Sequence, residues 1–343
     1  MEANVVNPVV LCVQPLLYEH IRDLFGDRVD LRIARDPSPT TVAEDARDAH
    51  AIFVRTGAGV SLDARVFAAA ERLLIVSPLG SGVDMIDVDA AAEAGVTVMH
   101  NPGSAPTPVV EYVIGMIPTL RKRIVEADRA IRSGWDWSPR HRFFGNDATG
   151  ATLGVIGFGH IGREVARRAR AAFDVEVLVF DPALDETTIA AEGAQQMSDL
   201  HELLGRADVI TLHAPDIPAT RHIIDASALA AMRSDAVLIN AARGPLVDHD
   251  ALVDALERRV IAAAAMDVFD PEPAPPDHPL LRLDNFVATP HTAGMTHDSV
   301  LALHRAMASG ILGALAGERP PHLAGPAVWP PRVVARDGWP LQP

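Results

Sequence analysis

Three residues far apart along the chain carry side chains that could cooperate in holding an anion and moving a proton: Arg243, Glu272 and His291. A guanidinium fork matches a carboxylate bidentately. An imidazole titrates near neutral pH and exchanges a proton in either direction. A carboxylate beside it can fix its orientation and stabilise its charged form. Interconverting a 2-oxo and a 2-hydroxy acid needs such a set: a cation for the carboxylate, a proton donor and acceptor for the oxygen on carbon 2, and a redox cofactor beside that carbon. Singly, each residue has a plainer reading. Arg243 before a glycine can be a surface charge, His291 after a proline a loop residue, and Glu272 between prolines a solvated turn. Their joint placement, each just past an apolar run, is what favours the chemical reading.

A cofactor signal stands upstream. Gly157-Phe158-Gly159-His160-Ile161-Gly162 follows an apolar strand and opens a stretch with Ile161, Val165 and Ala169 at helical spacing. In a strand–turn–helix, the first glycine permits a tight turn, the second lets backbone approach a pyrophosphate, and the third lets helix pack close to strand. The free N–H groups of the helix start then face the phosphates. Asp181, 19 residues past the last glycine, sits where an acid grips the adenosine ribose hydroxyls. A carboxylate there repels a 2′-phosphate, and Pro182-Ala183-Leu184 offers no arginine, so NAD is expected rather than NADP.

The elements that must position these groups read as two sets of apolar runs alternating with Ala-rich amphipathic stretches, the pattern of parallel strands joined by crossover helices. The first set is 9–13, 31–34, 51–56, 73–78 and 96–101; the second is 152–157, 175–181, 208–215, 236–244, 261–268 and 285–291. Ligands of open parallel sheets bind beyond the carboxyl ends of the strands. Arg243, the loop after Asp267 that holds Glu272, and His291 all follow such ends. Between the sets, Pro106 and Pro108 suit the start and Gly134 the end of one long helix, with a kink at Pro118. A further helix is expected after His291, then a Pro-rich tail as an extended arm.

Composition narrows the class. With 343 residues and 48% hydrophobic content, the chain should hold about two globular domains. Its 30 Lys plus Arg against 45 Asp plus Glu give a net charge of −15, which repels nucleic acid and anionic membrane. The start lacks the pattern of a signal peptide and no apolar run reaches bilayer length, so a cytoplasmic protein is expected. The single cysteine, Cys12 inside VVLCV, reads as a buried small hydrophobe, and no metal site is expected.

The segments LGSGVDMIDVDAAAEAGVTVMHNPG (79–103), TLGVIGFGHIGREVA (152–166), ADVITLHAP (207–215), LINAARGPLVDHDALVDALE (238–257), MDVFDPEP (266–273) and TPHTAG (289–294) resemble the D-isomer-specific 2-hydroxyacid dehydrogenases. That resemblance runs from about residue 51 to 325. It implies an α/β protein of two doubly wound parallel-sheet domains, a Rossmann NAD-binding domain (103–291) inserted in a flavodoxin-like substrate domain (1–102 and 292–343), closing around a cleft. The implied reaction passes hydride between NAD and a small 2-oxo/2-hydroxy acid, with glyoxylate or hydroxypyruvate as plausible substrates. The implied catalytic set is Arg243, Glu272 and His291. Asp267 would meet the nicotinamide end, and His160, Ile161, Asp181, Pro215, Thr220, Ala241 and Gly294 would line the NAD site with Gly157, Gly159 and Gly162. The loop Leu79-Gly80-Ser81-Gly82 would receive the substrate carboxylate through the N–H groups of Ser81 and Gly82. A homodimer formed through 105–150, with Trp135 and Trp137, is also implied; the plain alternative is that these tryptophans fill the core.

Two other readings stand beside it. Arg55-Thr56, at the end of a first-set strand, could receive a phosphate, as a D-3-phosphoglycerate dehydrogenase requires; Arg55 could equally bind the shared carboxylate or a local carboxylate. An NAD(H)-sensing corepressor of the same superfamily is the reading from another class, against which the intact Arg, Glu and His argue. Met85-Ile86-Asp87 and Val109-Val110-Glu111 depart from the usual Asn-Ile-Asp and Val-Ala-Glu away from the proposed chemistry. The tail is too short for a regulatory domain, and Glu272 stands where formate dehydrogenases carry Gln.

Overall fold

The computed structural model describes residues 7–55, 60–101, 106–134 and 138–337; Thr56, Trp135 and Trp137 lie outside the described residues. The chain forms two compact units, Met1–Ala105 with Met295–Pro343, and Pro106–Gly294.

The first unit alternates β1 (Val9–Val13), α1 (Tyr18–Phe25), β2 (Asp30–Ile33), α2 (Pro39–Asp45), β3 (Ala51–Val54), α3 (Ala64–Ala69), β4 (Ile75–Pro78), α4 (Val88–Glu93) and β5 (Thr97–Val98). β1, β3 and β4 are buried along their whole length, which is why β1 and β3 read as unbroken apolar runs and β4 as one broken only by Ser77. The five strands are all parallel in the order β2-β1-β3-β4-β5, the flavodoxin-like doubly wound arrangement. Cys12 is buried in this sheet, where burial pushes its thiol up to about 12 and leaves it unreactive.

The second unit begins with α5 (Pro106–Arg121) and α6 (Ile124–Arg132), where one kinked helix was expected. Pro118 sits inside α5, but the break comes at Arg123, whose φ is +55°. Pro118 costs the ladder one N–H, yet its carbonyl still accepts from Lys122 N–H at 2.9 Å, so the helix persists past it. The chain then turns where the Arg123 guanidinium can grip Glu126 at 2.7 and 2.5 Å, a pairing that periodicity does not show.

There follow β6 (Thr152–Ile156), α7 (His160–Phe173), β7 (Glu176–Phe180), α8 (Glu186–Ala191), β8 (Gln195–Gln196), α9 (Leu200–Arg206), β9 (Val209–Leu212), α10 (Ala226–Ala231), β10 (Val237–Asn240), α11 (His249–Glu257), β11 (Ala263–Met266) and β12 (Phe286–Ala288). These seven strands form an all-parallel sheet ordered β12-β11-β10-β9-β6-β7-β8, a Rossmann arrangement with its topological switch between β6 and β9. β8 was not expected: it is two glutamines at the sheet edge, too polar and short to stand out as an apolar run. Aspartates cap α3, α4, α8, α9, α10 and α11 by accepting a backbone N–H, so part of the acidic excess closes helix starts.

The chain returns to the first unit with α12 (His297–Leu315), capped by Thr296 in a capping box with Ser299. Beyond it the Pro-rich stretch runs along β5, with Ala324 N–H donating to Val98 O and Thr97 Oγ1 to Val328 O. It is not extended throughout, since α13 (Arg332–Asp337) closes it. Among the described residues, no helix is long and apolar enough to cross a membrane.

α12 also buries an imidazole. His304 is wholly inaccessible, neither ring nitrogen has a hydrogen-bond partner, and its ring stacks on His20 of α1 and meets Phe53 of β3 edge-on. Burial, aided by His20, pushes its pKa down to about 4. A histidine depressed from 6.5 stabilises the fold fully above pH 6.5, and that stability drains away as pH falls toward 4. Between pH 7.5 and 5 the loss is about 2 kcal/mol. Urea unfolding of H304L should show a correspondingly smaller drop in stability over that interval; an unchanged drop would remove His304 as its source.

Candidate active site

The residues expected to do chemistry sit in the second unit where its strands end. β10 ends at Asn240, whose side chain is fully buried and clamps the next turn: Nδ2 donates to Arg243 O at 2.8 Å and Oδ1 accepts from Ala242 N–H at 3.0 Å. The half-buried Arg243 thus leaves a fixed turn, and its Nη1 donates to Ala242 O at 2.7 Å. Gly244 follows because nothing larger fits. A Cβ there would stand 2.1 Å from the carbonyl carbon of Phe269, so the Arg243 turn lies flat against the segment that leads to Glu272.

Glu272 is held at both oxygens. Oε1 accepts from Phe269 N–H at 2.9 Å, and Oε2 meets His291 Nδ1 at 2.8 Å. A carboxylate only accepts, so Nδ1 carries a proton and Nε2 is the ring nitrogen that gains and loses one. The hydrogen bond to Glu272 raises the His291 pKa above the ordinary imidazole value despite partial burial; the charges of Glu272 and Asp267 add to the rise and Arg243 opposes it. For Glu272, burial pushes upward, but the bond from His291, its charge, the Phe269 N–H and Arg243 together bring the carboxyl below its ordinary value. The two groups favour the ion pair jointly.

Asp267 organises the turn that carries His291. Its buried carboxylate accepts from Thr289 Oγ1 at 2.5 Å and Thr292 N–H at 2.9 Å on one oxygen, and from Ala293 N–H at 2.8 Å on the other. His291 has φ +54°, a left-handed conformation costing a non-glycine residue about 1–2 kcal/mol. Its N–H donates to Asp267 O at 2.7 Å, so the same residue holds the strained backbone. The single Thr289 hydroxyl proton goes to the carboxylate, so Tyr112 of α5 donates its own to Thr289 Oγ1 across 2.9 Å. Burial pushes that phenol up to about 12, which keeps it a donor.

The glycine loop lies between β6 and α7. Gly157 has φ +87°, and a Cβ on it would come within 2.6 Å of Ala214 N after β9. On Gly162 a Cβ would come within 2.3 Å of Gly157 O, which closes helix onto strand, whereas on Gly159 it would meet nothing within 4 Å. α7 starts at Gly159 with no side-chain cap, so the N–H groups around His160, Ile161 and Gly162 are left to an outside acceptor. An open cradle over an uncapped helix start fits a pyrophosphate. Asp181, past β7, is tied to this loop through Phe158 N–H at 2.7 Å and to Ala183 N–H at 3.0 Å. Pro215 and Thr220 close a turn after β9, with Thr220 Oγ1 donating to Pro215 O at 2.6 Å. Ala241 follows β10, and Gly294 ends the turn after β12.

In the first unit, Arg55 follows β3 and its Nη2 meets Gln14 Oε1, past β1, at 3.3 Å. β1 and β3 flank that sheet's topological switch, where a ligand is expected. The Arg55 Nε is buried without a hydrogen-bond partner. Leu79, Gly80, Ser81 and Gly82 follow β4; Gly80 has φ +122°, and Ser81 and Gly82 N–H meet no backbone acceptor among the described residues. Gln14, Tyr112, Asn240 and Thr289 were not expected. For Asn240 the signal was present, a polar residue closing an apolar strand. Tyr112 and Thr289 are 177 residues apart, and neither segment points to the other.

Comparison with known proteins agrees with this architecture. Residues 114–293 match the NAD binding domain of the D-isomer specific 2-hydroxyacid dehydrogenases. The chain is 38% identical over 311 residues to D-3-phosphoglycerate dehydrogenase of Methanocaldococcus jannaschii, covering 90% of this chain and 58% of that protein. It thus spans little more than half of that relative's length. To glyoxylate reductase of Thermofilum pendens it is 39% identical over 272 residues, 78% of this chain and 79% of that one. The structure of D-lactate dehydrogenase from Aquifex aeolicus, complexed with NAD and lactic acid, superposes with a TM-score of 0.82 at 27% identity, covering 93% of this chain and all of that one. Two all-parallel sheets in these orders, the glycine loop and the extent of these matches place the chain in the D-isomer specific 2-hydroxyacid dehydrogenase family, with that family's NAD-binding domain at residues 114–293.

Proposed function

We propose that the protein is an NAD-dependent oxidoreductase interconverting a small 2-oxo acid and its D-2-hydroxy acid. The observation that carries this is the 2.8 Å pairing of His291 with Glu272 beside the Arg243 turn, in a unit with an NAD-binding fold. The glycine loop and Asp181 would hold the nicotinamide cofactor, which would supply or accept the hydride. Arg243 binds the substrate carboxylate. In the reducing direction His291 Nε2 gives its proton to the oxygen on carbon 2; in the oxidising direction it takes that proton back. Glu272 keeps the ring turned and stabilises its charged form, and Asp267 fixes the backbone beneath it. The loop Leu79–Gly82 is assigned to the same substrate carboxylate through the N–H groups of Ser81 and Gly82, and Arg55 to that carboxylate or to the remainder of the substrate. A cytoplasmic homodimer completes the reading, and light scattering of the purified protein checks the dimer.

The test is a panel of 2-oxo acids with NADH and with NADPH, followed by absorbance. Turnover of glyoxylate or hydroxypyruvate, preferring NADH, supports the reading. NADH binding without turnover of any member of the panel overturns it.

The partnerless Nε of Arg55 favours a second reading, a substrate bearing a phosphate. A kcat/KM for 3-phosphohydroxypyruvate well above that for hydroxypyruvate, lost in R55A, supports that version; equal values exclude it.

Because Glu272 is what chiefly raises the His291 pKa, E272Q should lower it. Reduction requires protonated His291 and is lost as pH rises through its pKa, so the alkaline limb of kcat/KM should move to lower pH. Oxidation requires the neutral ring, so its acid limb should move the same way. Limbs that stay in place in both directions would detach Glu272 from His291 titration.

A further inference from the structure

The seven-stranded sheet has a second polar opening at the wrong end for a Rossmann ligand. A cavity of about 410 Å3 opens before the amino ends of β10 and β11, lined by Arg121, Arg123, Arg142, Arg259, Asn146 and Asp235 among others. The candidate active site follows the carboxyl ends of the same strands, so the two are distinct. Four guanidiniums in one opening are out of keeping with a chain of net charge −15.

Most of this charge is already matched. Arg123 is bound by Glu126, Arg259 by Asp284 at 3.0 Å, and Asp235 by Arg233 at 3.1 and 3.3 Å. Arg121 is paired only loosely, and Arg142 not at all among the described residues. Arg121 is only 8% exposed; its Nε donates to Asp147 O at 2.7 Å, but its Nη1 is buried with no hydrogen-bond partner. Asp208 Oδ1 lies 3.7 Å from that nitrogen and 3.5 Å from Arg233, while Oδ2 accepts from Thr152 N–H. The exposed Arg142 has no carboxylate partner among the described residues, and its carbonyl accepts from Arg123. A buried donor without an acceptor is costly, more so when charged.

We propose that this cavity binds a small oxyanion, a phosphate or a carboxylate, received by the Arg142 guanidinium with the charge of Arg121 behind it. Both ligand types present the paired oxygens that a guanidinium fork matches. The volume falls within the range of small-molecule pockets. The site does not depend on the oxidoreductase reading, since none of its residues takes part in that chemistry.

Calorimetric titration with inorganic phosphate and with malonate, at constant ionic strength, tests it on the full-length wild type, R142A and R243Q. Saturable anion binding is expected in wild type, weakened about tenfold or more in R142A and retained in R243Q. Response to phosphate alone, to malonate alone or to both identifies the ligand type, and each supports the site. Arg142 is exposed, so R142A leaves the packed interior untouched. No binding to wild type overturns the proposal, as does affinity unchanged in R142A. Binding lost in R243Q and kept in R142A assigns the anion to the candidate active site. A dimer that R142A dissociates, with no anion heat in wild type, assigns the cavity to a second copy of the chain.

Discussion

Replacing His291 by glutamine should slow turnover by about 10²- to 10⁴-fold in either direction while NADH still binds, because glutamine keeps a polar tip but cannot exchange a proton. The structure narrows the reason. Nδ1 is engaged by Glu272 at 2.8 Å, which leaves Nε2 for the substrate oxygen. Glutamine has no titratable nitrogen to offer there, so the pH dependence assigned to His291 should vanish with the rate. A mutant that kept its alkaline limb would show that another group donates the proton. Fluorescence titration with NADH separates this from collapse of the site: His291 sits in a left-handed turn held by Asp267, and a mutant that lost that turn would lose cofactor affinity as well. Turnover within tenfold of wild type would sink the assignment of His291 as acid and base.

What could be read from the chain, and what could not, follows from the range of the interactions. The strands were legible because both faces of each sheet are covered, so β1, β3 and β11 are continuous apolar runs and β4, β9 and β10 are interrupted only by Ser77, Thr211 and Asn240, with limits that differ from those expected by a few residues. The strand ends were legible too, and with them the placing of Arg243, Glu272 and His291, because the apolar run stops where the chemistry-bearing loop starts. The parts that fix those loops in place were hidden. Asn240 binds within its own turn and could have been suspected. Tyr112 reaches Thr289, which reaches Asp267, through contacts that only folding creates. The break between α5 and α6 was hidden for a similar reason: Pro118 marks a weak point in the helix, but the Arg123–Glu126 pairing and the Arg123–Arg142 carbonyl bond decide where the chain turns.

Arg243 offers the other large effect, and it divides into two measurable parts. As the partner of a substrate carboxylate, its removal in R243Q should cost about 3–4 kcal/mol in the transition state, or 10²- to 10³-fold in kcat/KM. It also acts on its neighbours, because its charge lowers the pKa of both Glu272 and His291. Removing the charge therefore lets His291 rise further, so the surviving activity in the reducing direction should extend to higher pH, opposite to the shift expected for E272Q. R243K separates the two roles. Lysine retains the positive charge but lacks the planar fork, so kcat/KM should still fall while the pH limbs stay near their wild-type positions. A residue that only buttressed its turn would give neither pattern, since Asn240 holds that turn through the backbone of residues 242 and 243 whatever the side chain. An R243Q enzyme with kcat/KM within threefold of wild type would mean that the substrate carboxylate is received elsewhere.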